Sequence, residues 1–376
     1  VQTCALPIST HVMHNLYTLR GAKVRDPRKW SNVLTTSLQM FGNDAEVAFA
    51  SHHWPMWGNA KIKQFISDQR DMYQFINDQT LRLANMGYDG NEIANMIKLP
   101  DSIGNKWYNR GYYGSLSHNV RAVYQLYLGF YNGNPATLNP HPRVEAAKLY
   151  VKAMGGPSKV LKEGRDAYNR GDYRWASEVL NHLIYTNPDN KEARDLQAAA
   201  FEQMGYQSEN GTWRNNYLAG AKELRDNKIY PGPALVDPRS LPLPMLLSYT
   251  GIRLNPDRAA GKNIRIGLKT TDTKENYAIE LKNSVIHGNK VDPKEKFDTV
   301  LEMSSADVGE LLGGLTPPAN MEKSGKLKIS GNSQSVSQLL SMLDNFDGRF
   351  NLVTPLKPSA EPSKRVSQPI AEVSKK

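Results

Sequence analysis

The sequence predicts a multidomain protein in which an α/β segment is followed by an all-α segment and an α+β segment. Three observations support this: an apolar run after an amphipathic helix, helical periodicity from Val144 to about Leu224, and apolar alternation between Ile264 and Leu281. A chain of 376 residues is long enough for two or three such domains. We expect them at residues 9–88, 89–232 and 233–354.

Composition and charge indicate which partners the protein can be expected to bind. Hydrophobic residues make up 39% of the chain and charged residues 22%, as in globular proteins, and no window approaches the roughly 20 apolar residues of a membrane span. We therefore expect no integral membrane segment. The net charge of +10 is spread without a basic stripe interleaved with aromatics, so we expect no nucleic-acid partner and favour an anionic small molecule.

The first eight residues, VQTCALPI, read as the translation of a sequencing adapter. We expect biological sequence to begin near Ser9, and the only cysteine, Cys4, to belong to the adapter-derived stretch 1–8. The remaining chain then offers neither a disulfide nor a thiolate zinc site, so any metal would be held by His and carboxylates.

In the α/β segment, a helix is predicted to begin at Asp26-Pro27, where Asp suits the N-cap and Pro the first helical position, and to end near residue 42. The run EVAFAS, residues 46–51, has the apolar character of a short buried strand. His52 and His53 follow directly, at the strand end where open α/β sheets place ligand groups.

Further helices are predicted from about residue 59 to 85, over NEIANMI before Pro100, and from near His118 after the aromatic loop NRGYYG. The stretch 167–206 resembles a tetratricopeptide-like hairpin, with Gly171 in its first turn and Pro188 before the next helix. About one repeat is legible, which indicates a helical domain and not a solenoid.

The α+β segment is predicted from its alternation. Two alternating runs joined by TDTKEN indicate a β-hairpin, and they are followed by strand FDTVLEM, helix SADVGELLGG, strand KLKISG and helix SVSQLLSML. Residues 355–376 are rich in Pro, Ser and Lys, which predicts a disordered tail.

The stretch Thr10–Trp30 holds the most suggestive polar side chains. Arg20 and Arg25 flank a glycine-containing turn close to Asn15, Tyr17 and Thr18. A guanidinium donates two parallel hydrogen bonds to a tetrahedral oxyanion, so this set suits a sulfate or phosphate monoester. Surface salt bridging is the alternative, and spacing alone favours it over an oxyanion site.

His52 is ambiguous on chemistry alone. A histidine after a buried strand is more often a hydrogen-bonded structural residue than a metal ligand, and His53 beside it strengthens the case for metal binding without making it the favoured reading. One histidine cannot make a zinc site. The remaining ligands would have to come from His11, His14 or sequence outside this chain.

Several phrases, in order, resemble the alkyl sulfatases of the metallo-β-lactamase superfamily: LYTLRGAKVRDPRKW, ASHHWPMWGN, DQTLRLANMGY, NRGYYGSLSHNVRAVYQLYLG and GDYRWASEVLNHLI. The resemblance runs from about Thr10 to about Leu352. It implies hydrolysis of sulfate esters of primary alkyl alcohols such as dodecyl sulfate. It also implies the C-terminal remnant of a dizinc metallo-β-lactamase domain, a helical dimerisation domain giving a homodimer, and a sterol-carrier-protein-like domain, and it favours a periplasmic or secreted enzyme.

The resemblance also assigns roles. His52 matches the late histidine ligand of the zinc pair, and His14 and His118 are the expected catalytic residues. Helix-start hydrogen bonding is the alternative for His118. The residues expected to bind the substrate, at the sulfate and along an aromatic loop, are Asn15, Tyr17, Thr18, Arg20, Arg25, Tyr112 and Tyr113. An apolar channel for the alkyl chain is expected from Trp54, Trp57 and that loop.

In a complete enzyme of this kind, two zinc ions would lower the pKa of a bound water, and Arg20 and Arg25 would offset the charge of the sulfate. The family's H-x-H-x-D-H motif, which supplies most zinc ligands, is absent from this sequence, as is the expected glutamate before Thr10. We therefore expect an N-terminally truncated, inactive chain. The rival reading is a non-catalytic helical or lipid-binding scaffold.

Overall fold

A computed structural model describes residues 10–50, 53–230, 237–346 and 348–356. Residues 1–8, predicted to derive from an adapter, the proposed metal ligand His52, most of the Pro-Gly-Pro boundary near residue 232 and residues 357–376 of the predicted disordered tail lie outside these ranges. The chain forms two compact units, the first from residues up to 228 with 351–355 and the second built on residues 229–350.

The first unit is mainly helical. Its elements in chain order are α1 (Pro27–Phe41), β1 (Val47–Ala48), β2 (Met56–Trp57), α2 (Asn59–Ala84), α3 (Gly90–Met96), α4 (Asp101–Gly104), a 3₁₀ turn (Trp107–Asn109), α5 (Leu116–Leu128), a second 3₁₀ turn (Pro135–Thr137), α6 (Arg143–Ala153), α7 (Pro157–Asn169), α8 (Tyr173–Thr186), α9 (Lys191–Tyr206) and α10 (Gly211–Asp226).

Helix α1 begins and ends where the sequence predicts. The Asp26 carboxylate accepts a hydrogen bond from the Lys29 N–H at 2.9 Å, Pro27 occupies the first turn, and Gly42 follows the last residue. The apolar face of α1 packs on α2 through the buried side chains of Trp30 and Leu34. The predicted helices at 59–85, at NEIANMI and after the aromatic loop are likewise confirmed as α2, α3 and α5.

The prediction of a buried strand at residues 46–51 is wrong. Only Val47–Ala48 form a strand, β1, and it pairs antiparallel with the two-residue β2. The Val47 side chain is 48% exposed and that of Phe49 is 72% exposed. Strand burial depends on sheets or helices covering both faces, and within the described ranges β1 has no other strand neighbour.

Helices α6 to α10 pack as consecutive neighbours, confirming the helical segment from residue 144. Gly171 forms the turn between α7 and α8 with φ of +84°, which favours glycine. Gly164 lets the same two helices approach closely, because a Cβ there would lie 2.6 Å from the Leu180 side chain. The core between these helices contains Val160, Leu180 and Leu183.

The second unit is an α+β fold, as predicted. Its elements are a 3₁₀ turn (Pro238–Ser240), α11 (Leu243–Arg253), β3 (Ile264–Thr270), β4 (Asn276–Lys282), β5 (Val285–Lys290), β6 (Thr299–Met303), α12 (Ser305–Leu312), α13 (Pro318–Lys323), β7 (Leu327–Gly331) and α14 (Ser333–Ser341). The sheet order is β5-β4-β3-β6-β7, with β3 and β6 parallel and the other pairs antiparallel.

The predicted hairpin is the β3–β4 pair, in which Ile266 lies opposite Ile279. Both side chains are buried under the helices, together with Leu301 of β6 and Leu311 of α12. The alternation of the sequence therefore corresponds to one covered sheet face. Across the described parts of both units, no helix combines the length and apolar character needed to cross a bilayer.

Candidate functional site

The Thr10–Arg25 loop carries most of the predicted site residues, and its first half, up to Thr18, packs against α2 and α5. Met13 and Leu16 point into the core with side chains at most 1% exposed. The His14 N–H donates to the Tyr73 hydroxyl of α2 at 2.9 Å, and the Gly114 N–H donates to the Met13 carbonyl at 2.8 Å. The loop is therefore fixed by its neighbours although it has no regular secondary structure.

Asn119, in the first turns of α5, holds the centre of this loop. Its side-chain Oδ1 accepts from the Leu16 N–H at 2.8 Å, and its Nδ2 donates to the His14 carbonyl at 3.0 Å. The amide thus pairs with the loop backbone much as a neighbouring strand would. Asn119 is fully buried, so both bonds are shielded from water.

His118 joins the same loop to α10. Its Nε2 lies 2.7 Å from the Tyr17 carbonyl, and its Nδ1 lies 3.3 Å from the Trp213 Nε1. A carbonyl can only accept and an indole N–H can only donate, so Nε2 carries the proton and Nδ1 accepts. Burial lowers the pKa of His118, assisted by the Arg121 charge, although the bond to Tyr17 opposes the shift. The ring is therefore a neutral clamp.

This arrangement bears on the two roles considered for His118. Both ring nitrogens are engaged by protein groups, which leaves neither available to a substrate. The geometry matches the helix-start alternative, in which His118 is a positioning residue. The expectation that His118 donates a proton or contacts sulfate has no support from the contacts of the ring.

Asn15, Thr18 and Arg25 are the predicted oxyanion-binding residues that lie in the loop interior. The Asn15 Oδ1 and the Thr18 hydroxyl are buried without a hydrogen-bond partner. The half-buried Arg25 donates through Nη1 to the Asn15 carbonyl at 3.1 Å and makes no ion pair within the described ranges. Buried polar atoms normally have partners. The Thr18 hydroxyl and the Arg25 N–H groups can donate to an anion, whereas the Asn15 amide would first have to exchange its Oδ1 for its NH₂ end.

Arg20 is placed differently from the prediction of paired guanidinium groups. It sits at the apex of a tight turn closed by a 3.0 Å bond from the Gly21 N–H to the Thr18 carbonyl, and it is exposed. Gly21 takes φ of +88° in this turn, a conformation that favours glycine. The structure therefore fixes Arg25 in the loop interior and leaves Arg20 at its surface.

His14 and Tyr113 are brought together, as expected for neighbours in a site. Their ring centroids are 4.8 Å apart, and the His14 ring is also 5.8 Å from that of Trp30. The His14 Nδ1 donates to the Asn15 carbonyl at 2.8 Å, so the ring orientation is fixed from one side. The Tyr112 side chain is 42% exposed, and the Arg110 guanidinium lies above its ring.

His11 and His53 form a second pair of interest. Their rings stack at 4.9 Å, and the His11 ring also stacks on Phe65 and Trp107. Both ring nitrogens of His11 and the Nδ1 of His53 are buried without partners. Burial lowers the pKa of His11, helped by the charge of His53, so the neutral, ligand-competent form is favoured.

These residues do not fit a dizinc centre by themselves. A catalytic zinc site takes about three protein ligands per ion. Within the described parts of the chain, no group of three or more His, Cys, Asp or Glu side chains lies close enough to hold a metal. His52, the predicted ligand, lies outside those parts.

Trp54 and Trp57, which were expected to line a channel for the alkyl chain, are 65% and 59% exposed, so they form no closed channel among the described residues.

Sequence reasoning missed Asn119, Trp213 and Tyr73, which position the loop. The sequence gave one signal for Asn119, which is a polar residue next to Val120 at a core-facing position of α5. Trp213 and Tyr73 gave none, since their partners lie 95 and 59 residues away.

Family models match most of the chain. The model described as alkyl sulfatase dimerisation matches residues 89–227, and the model described as alkyl sulfatase C-terminal matches residues 236–355. Together these matches cover well over half of the sequence.

Individual relatives agree. A linear primary-alkylsulfatase of Pseudomonas sp. is 44% identical over 351 residues, covering 92% of this chain and 52% of that protein. An (R)-specific secondary-alkylsulfatase of Pseudomonas sp. is 42% identical over 348 residues, again with 92% and 52% covered. The solved structure of a stereoselective inverting sec-alkylsulfatase from Pseudomonas sp. gives a TM-score of 0.88 at 41% identity, covering 93% and 56%. The chain thus spans about half the length of these relatives.

Proposed function

The chain belongs to the alkyl sulfatase family, and on that premise we propose that it forms the sulfate-binding and assembly part of an enzyme that hydrolyses alkyl sulfate esters. The observation that carries the proposal is the half-buried Arg25, without an ion-pair partner in the described ranges, beside the unpaired polar atoms of Asn15 and Thr18. An alkyl sulfate places a negatively charged tetrahedral group on an apolar tail, and this loop offers the groups that bind the head.

Each loop residue has a proposed task. Arg25 supplies the positive charge, and its remaining N–H groups can donate to sulfate oxygens. The Thr18 hydroxyl donates a further hydrogen bond, and the Asn15 amide can present its NH₂ end by rotating about its last bond. Arg20, exposed at the turn, is proposed to meet the head group from the solvent side.

His14 is proposed to act closest to the reacting ester oxygen. Its Nδ1–H donates to the Asn15 carbonyl at 2.8 Å, which orients the imidazole ring for proton transfer. Tyr113, against the His14 ring, and Tyr112 are proposed to border the substrate. His118 is proposed as a positioning residue through the Tyr17 carbonyl.

The remaining family features are also proposals for this chain. Residues 9–88 are proposed as the end of a metallo-β-lactamase fold, with His52 as a zinc ligand, and residues 233–354 as a sterol-carrier-like domain. Two zinc ions would supply an activated water in a complete enzyme. Because the described residues do not assemble such a centre, no step is assigned to zinc here. The matched dimerisation model supports a homodimer.

The chain as given is proposed to be inactive, because its sequence lacks the H-x-H-x-D-H motif. The test compares dodecyl sulfate hydrolysis and zinc content of this chain with those of the same chain preceded by an upstream reading frame containing that motif. We expect turnover and bound zinc only in the longer chain. Sulfate release by this chain alone would refute the proposed inactivity, and no release by a zinc-loaded longer chain would refute the alkyl sulfatase proposal.

The role of Arg25 is tested in the longer chain by Arg25→Gln. Removing a donor that faces developing charge costs on the order of 10²-fold in kcat/KM. Arg28→Gln is the matched control, since Arg28 is an exposed cation on α1. Equal rates for both variants would remove Arg25 from the proposed site.

A further inference from the structure

A cavity of about 790 Å³ lies in the first unit between the loop at residues 17–24 and helix α5. Its size falls within the roughly 300–1,000 Å³ typical of small-molecule sites. One wall is formed by the stacked rings of Tyr17 and His118, whose centroids are 6.2 Å apart. The ring of His118 is fixed by the two hydrogen bonds described above, so this wall is preformed.

The cavity has a cationic part without a carboxylate. Lys23 and Arg121 line it, and no Asp or Glu is among its lining residues. The Arg121 Nε donates to the Asn91 Oδ1 at 2.8 Å, and its Nη1 donates to the Ser117 carbonyl at 3.0 Å and to the Ser117 hydroxyl. Asn91 and Ser117, the two residues that supply these acceptors, are both neutral. Nη2 makes no hydrogen bond to any described residue, so two N–H groups remain for a ligand.

The electrostatic surroundings strengthen this reading. Burial, and then the neighbouring charge of Arg174, lowers the pKa of Arg121, whereas Tyr217 and Asp89 act weakly the other way. Arg174 itself donates only to the Asn95 amide oxygen and forms no ion pair within the described ranges. Excess positive charge in a partly dehydrated place favours the binding of an anion.

The rest of the cavity is apolar. Ala22 and Val24 contribute from the loop, and Ala122 and Leu126 contribute from α5. Cationic and apolar surfaces in one cavity match a ligand that has an anionic head and a hydrocarbon tail.

We propose that this cavity is a second binding site for an alkyl sulfate, in which Arg121 and Lys23 hold the head group and the Val24–Leu126 side holds the alkyl chain. The choice of an alkyl sulfate rests on the proposed function. The site differs from the sulfate-binding group of Asn15, Thr18 and Arg25, because none of those three side chains lines the cavity.

The test is calorimetric titration of the full chain, without zinc, with decyl sulfate below its micelle-forming concentration. Arg121→Gln is expected to weaken one class of sites by about tenfold or more, the loss of a charge-assisted hydrogen bond. Lys23 is exposed and makes no hydrogen bond or ion pair with the described residues, so Lys23→Gln disturbs no other contact of that kind. It should weaken binding to the same class of sites by about threefold. Lys29→Gln, at an exposed cation of α1, is the matched control and should change nothing.

Two further arms identify the site. Arg121→Lys keeps a positive charge and should restore part of the affinity, which a folding defect would not do. Arg25→Gln should leave the site intact. If Arg25→Gln removes all binding while Lys23→Gln and Arg121→Gln have no effect, decyl sulfate binds only at the Arg25 group, and the second site is refuted while the proposed function stands. Equal binding of 1-decanol would also refute the role of the two cations.

Discussion

Replacing Asn119 by alanine should loosen the Thr10–Arg25 loop more than any exposed substitution in α5. The change removes an acceptor from the buried Leu16 N–H and a donor from the His14 carbonyl. A buried backbone group left unpaired costs about 1–3 kcal/mol, so two such groups cost about 2–6 kcal/mol. This is a large fraction of the roughly 5–15 kcal/mol that stabilises a typical domain.

Urea unfolding followed by tryptophan fluorescence measures this loss. All six tryptophans lie between residues 30 and 213, so the signal reports the first unit alone. Asn216→Ala is the control, because Asn216 is exposed and its amide bonds only the Thr212 carbonyl one turn earlier in α10. We expect the control to change stability by less than about 0.5 kcal/mol. A loss below about 1 kcal/mol for Asn119→Ala would show that water or a rearranged backbone replaces both bonds.

Three further predictions concern other contacts. Burial lowers the pKa of His118, so the unfolded chain binds the proton more tightly than the folded chain. The free energy of unfolding of the first unit should therefore be at its full value above about pH 6.5 and decrease toward pH 5. Urea midpoints should show a shallower pH dependence for His118→Gln. A Cβ at Gly114 would meet backbone atoms at 2.6 Å, so Gly114→Ala should cost about 1–3 kcal/mol, whereas Gly111→Ala, whose nearest neighbour is at 3.4 Å, should be nearly neutral by the same fluorescence assay. In the second unit, the buried Arg253 donates to the Leu312 carbonyl and two other oxygens; Arg253→Met should cost about 3–5 kcal/mol by circular dichroism, and an unchanged transition would contradict its role.

Local signals predicted the elements that local chemistry decides. The Asp-Pro start of α1 and the alternation of β3 and β4 act within a few residues, and both elements lie where expected. Helix α11 and strand β5 were not predicted. Prolines at 242 and 244 obscure the helical pattern of α11, although Pro242 is its N-cap residue and Pro244 lies in its first turn, where proline is tolerated. Strand β5 is short and polar on one face, and it exists because β4 offers an open edge.

The EVAFAS run shows where local reading fails. Its apolar residues are compatible with a buried strand, but burial is decided by elements that pack on it. Val47 and Phe49 are exposed, and among the described residues of the run only Val47 and Ala48 pair with a strand, β2. Composition alone carries no information about such neighbours. The same limit applies to the expectation, taken from the family resemblance, that Arg20 and Arg25 bind one sulfate, since the sequence does not show that Arg20 is exposed and Arg25 half-buried. The predicted domain boundary at residue 88 stays a prediction.

The geometry of the proposed sulfate loop depends on residues that are distant in sequence. The loop has no regular secondary structure, and buried backbone groups require partners. Its partners are the Tyr73 hydroxyl of α2 and the Asn119 amide and His118 ring of α5, and the ring is in turn held by Trp213 of α10. Since α5 and α10 belong to the segment matched by the dimerisation model, that segment also positions the proposed sulfate loop. Substitutions of Asn119 and Trp213 should therefore weaken sulfate binding at the Arg25 group, although neither residue is proposed to contact the ligand there.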